Sequence, residues 1–265
     1  MGKVIAVTNR RGGTGKTVTA HALTAGLFLR GYSTLCIDLD SQTNLTFDMG
    51  ADAEGLTIMD VLTGEATAQE AIQHTERGDI IPGSPELATA DIVFTGKGKE
   101  YRLRDAIEAV KNDYDYIICD TAPSLGILTV NALTASDSAI ITAQAEIHSL
   151  TGIGQLNETI KAVQKHTNKD LTIEGILITR YYSRAIISRD MKQNLLEVAQ
   201  LLNTKVFSQP IRECVAIREA QAMQTDIFTY SPRSNASADY NALIDEVIGV
   251  SAEKRALLTK ILGVE

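Results

Sequence analysis

The sequence predicts an α/β fold: a three-layer, mostly parallel twisted sheet with helices on both faces. Three observations predict it. Short, continuously apolar and β-branched runs recur along the 265 residues, stretches with helical spacing separate them, and the glycine-rich and acidic residues fall where the runs end. Strands buried on both faces read as unbroken apolar runs, and a helix between successive strands makes them parallel.

Taken in order, KVIAVTN (3–9) is the first strand, and a glycine loop follows it. Residues 16–30 read as a helix ended by Gly31. STLCIDLD (33–40) is a second buried strand, and residues 79–81 supply a short one. Residues 99–112 are helical by periodicity and lead into the strand DYIICD (115–120). SAIITAQ (138–144) is another strand, followed by a long amphipathic helix around residues 150–166. LTIEGILIT (171–179) is a strand, 188–203 a helix, and KVFSQPI (205–211) a strand edge. Two helical segments, about 235–262, close the chain. No repeat, low-complexity tract or long Pro/Ser linker divides it, so residues 1–265 read as one domain.

Composition is that of a soluble globular chain, 44% apolar and 22% charged. There is no apolar run long enough to span a bilayer and no room for a signal peptide before the first strand. Gly2 is not a myristoylation site, because position 6 is Ala. A cytoplasmic location is the expectation. Three cysteines cannot all pair, and Cys36 and Cys119 sit inside apolar runs as buried thiols. No Cys/His spacing suggests zinc or an iron–sulfur cluster. A net charge of −8 argues against a uniformly basic nucleic-acid coat, yet Arg180 to Arg233 carries eight basic residues against five acidic ones.

In such a sheet, ligands bind beyond the carboxyl ends of the strands. RRGGTGKT follows the first strand and opens a helix, where unsatisfied N–H groups and the positive helix end converge. Gly12, Gly13 and Gly15 let the backbone curl round phosphates without Cβ clashes. Lys16 is placed to reach the β- and γ-phosphates, and Thr17 offers a hydroxyl to Mg²⁺. The usual P-loop has a leading Gly where this chain has Arg10. Asp120 ends an apolar strand and reads either as a cation anchor or as a helix-capping residue. Asp38 and Asp40 crowd one side of the second strand's end, which suits a cation and an oriented water, or else they are solvated loop acids.

RGGTGKT, IDLDSQTN and YIICDTAPSLG together resemble the deviant-Walker ATPases of the ParA/MinD superfamily, a branch of the P-loop NTPase fold, and within it ParA/Soj-type partition proteins. The similarity extends through AQAEIHSLTGI, EGILITRY, PIRECVAIREA and SNASADYNALIDEV. That loop also lacks the leading Gly. The resemblance implies that the loop from Gly12 through Thr14 to Val18 binds ATP or ADP, with Lys16 on the phosphates and Thr17 on Mg²⁺. It implies that Asp40 orients the attacking water, that Asp38 supports the magnesium shell and that Asp120 is the Walker-B acid. The segments around Thr179-Arg180 and Pro210-Ile211 would border the adenine. The signature lysine aligns with Arg11, which would reach across a dimer to the partner's ATP.

Arg11 departs from that pattern. Arginine keeps the charge but is longer, planar and able to bind phosphate bidentately, which bears on hydrolysis rate and dimer stability. Ala122 stands where a second proline is common. The resemblance further implies slow ATP hydrolysis, a nucleotide-sandwiched homodimer and non-specific DNA binding, with Arg184, Arg189, Lys192 and Arg218 as candidates. An arginine common in the family falls on Ala216 here. No helix-turn-helix precedes the first strand, so a ParB-like partner would supply sequence-specific contact and stimulate turnover, and the chain would be nucleoid-associated. Three alternatives compete: a MinD-like membrane-cycling ATPase, an ATP-gated binding module with little hydrolysis, and a metabolic ATPase of the same fold. The tail SAEKRALLTKILGVE lacks the aromatics of a strong membrane anchor, and paired exposed cysteines for the metabolic reading are not evident.

Overall fold

The structure, a computed structural model, describes residues 2–183 and 185–250. Seven strands form one sheet: β1 (Lys3–Thr8), β2 (Thr34–Leu39), β3 (Gln73–Thr75), β4 (Gly78–Ile81), β5 (Tyr116–Thr121), β6 (Ser138–Gln144) and β7 (Thr172–Thr179). Their order is β3-β4-β2-β5-β1-β6-β7, with every neighbouring pair parallel except β3–β4. β1 therefore lies inside the sheet, with β5 on one side and β6 on the other.

The helices are α1 (Lys16–Phe28), α2 (Asn44–Asp48), α3 (Ile58–Thr63), α4 (Ala68–Ala71), α5 (Ala90–Val93), α6 (Arg102–Ile107), α7 (Ile127–Ala135), α8 (Ile147–His166), α9 (Ile186–Leu201), α10 (Val215–Ala222), α11 (Ile227–Tyr230) and α12 (Asn235–Val247). Alternate strand residues divide between two cores, as a sheet covered on both faces requires. Val4, Ala6, Leu35, Ile37, Ile117 and Cys119 face one core, closed by α3 to α9. Ile5, Val7, Cys36, Ile118, Ile140 and Leu177 face the other, closed by α1, α2 and α10 to α12. The three-layer expectation is met.

Gly31 takes φ +86 just beyond α1 and donates its N–H to the Phe28 carbonyl at 2.9 Å, ending that helix as expected. Residues 205–211, expected as a strand edge, do not form one. They track β7 through a bridge between Ile176 and Val206 and a bond from Ile211 N–H to the Ile178 carbonyl at 2.8 Å. Pro210 lacks the N–H that a ladder would need. Cys36 and Cys119 are buried and all three cysteines are free. No helix among the described residues is long and apolar enough to cross a membrane. The tail read as the last helical segment, residues 251–265, lies outside the described residues.

Candidate nucleotide site

The glycine loop turns from the end of β1 into α1 and is fastened to the ends of β6 and β7. Asn9 is buried; its amide donates to the Thr142 carbonyl, and its Oδ1 accepts the Arg11 N–H at 2.9 Å. Gln144 Nε2 donates to the Gly13 carbonyl at 2.6 Å, and the Thr179 hydroxyl donates to the Thr14 carbonyl at 2.8 Å. Thr14 itself is buried, its hydroxyl 2.9 Å from that of Thr142. Gly13 (φ +73) and Gly15 (φ +81) occupy the left-handed region. Gly15 is the N-cap of α1 and offers no side-chain cap, so the first N–H groups of the helix stay available to an anion.

These constraints shape one wall of a cleft of about 460 Å³. Gly12, Gly13, Gly15, Lys16, Thr17, Val18 and Asp40 all line it. Lys16 is buried and its Nζ donates to the Arg11 carbonyl at 3.2 Å. Burial pulls its pKa down, while Asp120 and Asp40 hold it up.

The three acids are placed differently from one another. Asp38 and Asp120 are fully buried, and Asp40, just past the end of β2, is 8% exposed on the cleft. None is a solvated loop acid. Asp38 does not line the cleft. Its Oδ2 accepts the Thr46 N–H at 2.9 Å and hydroxyl at 2.8 Å, and its Oδ1 accepts the Asp40 N–H at 3.1 Å. Burial still pushes its pKa up, to about 6. Asp40 Oδ1 accepts the Gln42 N–H at 3.1 Å, which fixes its side chain.

Asp120 caps no helix, since α7 begins after Gly126. Neither of its carboxylate oxygens has a hydrogen-bond partner of good geometry among the described residues. Burial and then Asp38 drive its pKa up, while Thr17 and Lys16 favour its charged form. A buried carboxylate without partners is the expected signature of a cation position. No three His, Cys, Asp or Glu side chains among the described residues form a metal cage of their own. Mg²⁺ shared between one hydroxyl, one carboxylate and phosphate oxygens needs none, so Thr17 and Asp120 fit that ion.

The opposite wall comes from the end of β7 and residues 211–221. Arg180, at φ +50, pairs with Glu213 at 3.0 Å, and both line the cleft together with Ile211, Cys214, Ile217 and Tyr240. Pro210 is buried beside Ile211 without lining the cleft. Arg212 clamps the buried Asp239 of α12 through Nε (2.9 Å) and Nη2 (2.6 Å), and its N–H reaches the same carboxylate at 3.0 Å. This holds the wall in place.

Arg11 lies at the cleft's edge, ion-paired to Glu146 at 2.6 Å, and Arg10 donates to Gln155. The basic segment is less free than its count suggests. Arg180 and Arg218 share Glu213, Arg212 holds Asp239, and Lys205 pairs with Glu246. Arg189 and Lys192 form no ion pair among the described residues; they sit on α9, which packs on the opposite face from the Arg218 helix α10. Arg184 lies outside the described residues. Asn9, Thr142, Gln144, Thr46 and Tyr240 were not singled out in the sequence. Gln144 and Thr179 end strands β6 and β7, the same signal that pointed to Asp120.

Comparisons with known proteins show what the chain as a whole is similar to. The family model described as AAA domain matches residues 2–173. The chain is 42% identical over 253 residues to sporulation initiation inhibitor protein Soj of Bacillus subtilis, covering 93% of this chain and 98% of that one. It is 36% identical to chromosome partitioning protein ParA of Myxococcus xanthus, covering 94% and 88% respectively. A crystal structure described as cobyrinic acid a,c-diamide synthase from Mycobacterium smegmatis, with bound ADP and magnesium, superposes with a TM-score of 0.81 at 34% identity, covering 94% of each chain.

Proposed function

The chain belongs to the Soj/ParA family of partition ATPases, and on that footing we propose that it is a Mg-ATP-dependent switch acting in DNA partition. It is an ATPase. In the proposed cycle it is a homodimer bound non-specifically to duplex DNA in the ATP state, and it is released when a ParB-like partner stimulates hydrolysis. It would then reside on the nucleoid.

One observation carries the reading most directly. The carboxylate of Asp120 is fully buried beside Lys16 and Thr17, which themselves line the glycine-walled cleft at the free N-terminus of α1. Loop N–H groups and the helix end would hold the β- and γ-phosphates, and Lys16 would neutralise them. Thr17 and Asp120 would hold Mg²⁺, which when bound draws charge from the phosphate oxygens. Asp40 faces the cleft with one oxygen fixed by Gln42, leaving the other to orient a water and take up its proton. Asp38 supports this from behind through Asp40 N–H. Ile211, Arg180 and their neighbours would border the base.

Arg11 bears on the rate in this account. Its ion pair with Glu146 keeps it in its own chain, and reaching a partner's phosphates requires giving up that contact. We infer slow turnover from the family resemblance, to which this half-exposed pair adds at most a small barrier. DNA phosphates would be met by Arg184, Arg189, Lys192 and Arg218, with steep salt dependence. Retention on random-sequence duplex with a non-hydrolysable ATP analogue, compared with flotation on anionic vesicles, tests the reading. Retention on duplex is expected; vesicle binding without duplex binding would favour a MinD-like role.

A further inference from the structure

Helix α2 follows Asp40 and is tied to both ends of the cleft. On the phosphate side, Thr46 binds Asp38 twice and accepts the Gly83 N–H at 2.8 Å. Two residues further on, buried Asp48 accepts Nε2 of Gln221 on α10 at 2.7 Å. Gln224, just past α10, donates to the Phe47 carbonyl at 3.1 Å. Beneath these bonds, Leu45 and Met49 share a hydrophobic core with Ile217 and Ala220. α10 in turn forms the base-side wall through Ile217, Arg218 and Gln221. Burial pushes the Asp48 carboxyl up to about 6 and the Gln221 bond opposes this, so the two groups depend on each other.

We propose that Gln221 and Asp48 form a strut coupling the phosphate end of the cleft to its base-side wall. Gln221 is then a positioning residue that acts through α2 on Asp38 and Asp40. A γ-phosphate that draws in the segment 40–46 also moves α10, and with it Arg218. The inference rests on the nucleotide reading above.

Dissociation constants for ATP and ADP with Mg²⁺, measured by fluorescent-nucleotide displacement, test it through their ratio. Gln221→Glu sets two carboxylates against each other and should lower the ATP preference by about tenfold, within the range of typical coupling energies. Adding Asp48→Asn reverses the bond, the asparagine amide now donating to the glutamate, and should restore the preference. If Gln221→Glu does not fold, Gln221→Leu removes the donor and is read by the same ratio. A purely structural role would weaken both nucleotides alike, in step with melting temperature. An unchanged ratio, an equal weakening, or failure of the double variant to restore the preference overturns the strut alone. A wild-type chain that binds neither nucleotide overturns the nucleotide reading, and the strut with it.

Discussion

Asp38 and Asp120 face each other in register across β2 and β5; both are fully buried, but Asp38 is held by good hydrogen bonds from Thr46 while Asp120 has none of good geometry among the described residues. The poorly satisfied acid is the one beside Lys16 and Thr17. A buried carboxylate that awaits a cation weakens the empty protein. Asp120→Asn should therefore raise the melting temperature of the nucleotide-free chain, by about 1–3 kcal/mol of stability. The same variant should lose the further rise that Mg-ATP gives wild type, as differential scanning fluorimetry would show.

The Arg11–Glu146 pair is half exposed, so its worth to folding is small, below about 1 kcal/mol. Arg11→Ala should leave the melting temperature nearly unchanged while slowing single-site turnover at least tenfold. Arg11→Lys, scored for ATPase rate and dimer lifetime, should hydrolyse faster than wild type. Equal rates would show that the arginine does not limit the chain.

His21 is buried in α1, and its Nε2 has no partner among the described residues. Burial holds its pKa down to about 4; Asp226 raises it and Arg77 lowers it. The unfolded chain takes up this proton near pH 6.5, so the contribution to stability is present above that pH and is lost as pH falls toward 4. Asp38 and Asp48, pushed up to about 6, act with the opposite sign over the same range. Comparison with His21→Leu isolates the histidine. The variant should gain about 3 kcal/mol relative to wild type between pH 7 and pH 4, measured by urea denaturation at each pH.

Asp239 takes the Arg212 guanidinium, the Arg212 N–H and the Gln209 amide. Asp239→Ala should cost about 1–2 kcal/mol, since it removes charge-assisted hydrogen bonds from the partly exposed Arg212 and unfastens α12 from the base-side wall. Nucleotide affinity should fall with it, measured by isothermal titration.

The strands β1, β2, β5, β6 and β7 were legible because burial on both faces demands unbroken apolar runs. β3 was not: Gln73-His74-Thr75 is a three-residue polar edge, held by pairing with β4 rather than by burial. The helices α2 to α5 and α11 are four to six residues long, too short for periodicity to register. At the site, Lys16, Thr17, Asp40 and Asp120 stood out because charge or glycine interrupts an apolar pattern. Gln221 acts through a single amide whose partner Asp48 is distant in sequence, so spacing could not expose it. Strand alternation put Asp38 and Asp40 on one side, and the resemblance gave them different roles; the fold adds that Thr46 claims the first and the cleft the second.

The central claim is that this cleft switches association through ATP, with Asp40 ending the ATP state. Sedimentation of Asp40→Ala with Mg-ATP, alongside its phosphate release, tests it most directly. The account predicts a dimer that persists for as long as ATP is present and turnover reduced at least a hundredfold. A variant that stays monomeric in saturating ATP, or that hydrolyses at the wild-type rate, would contradict it.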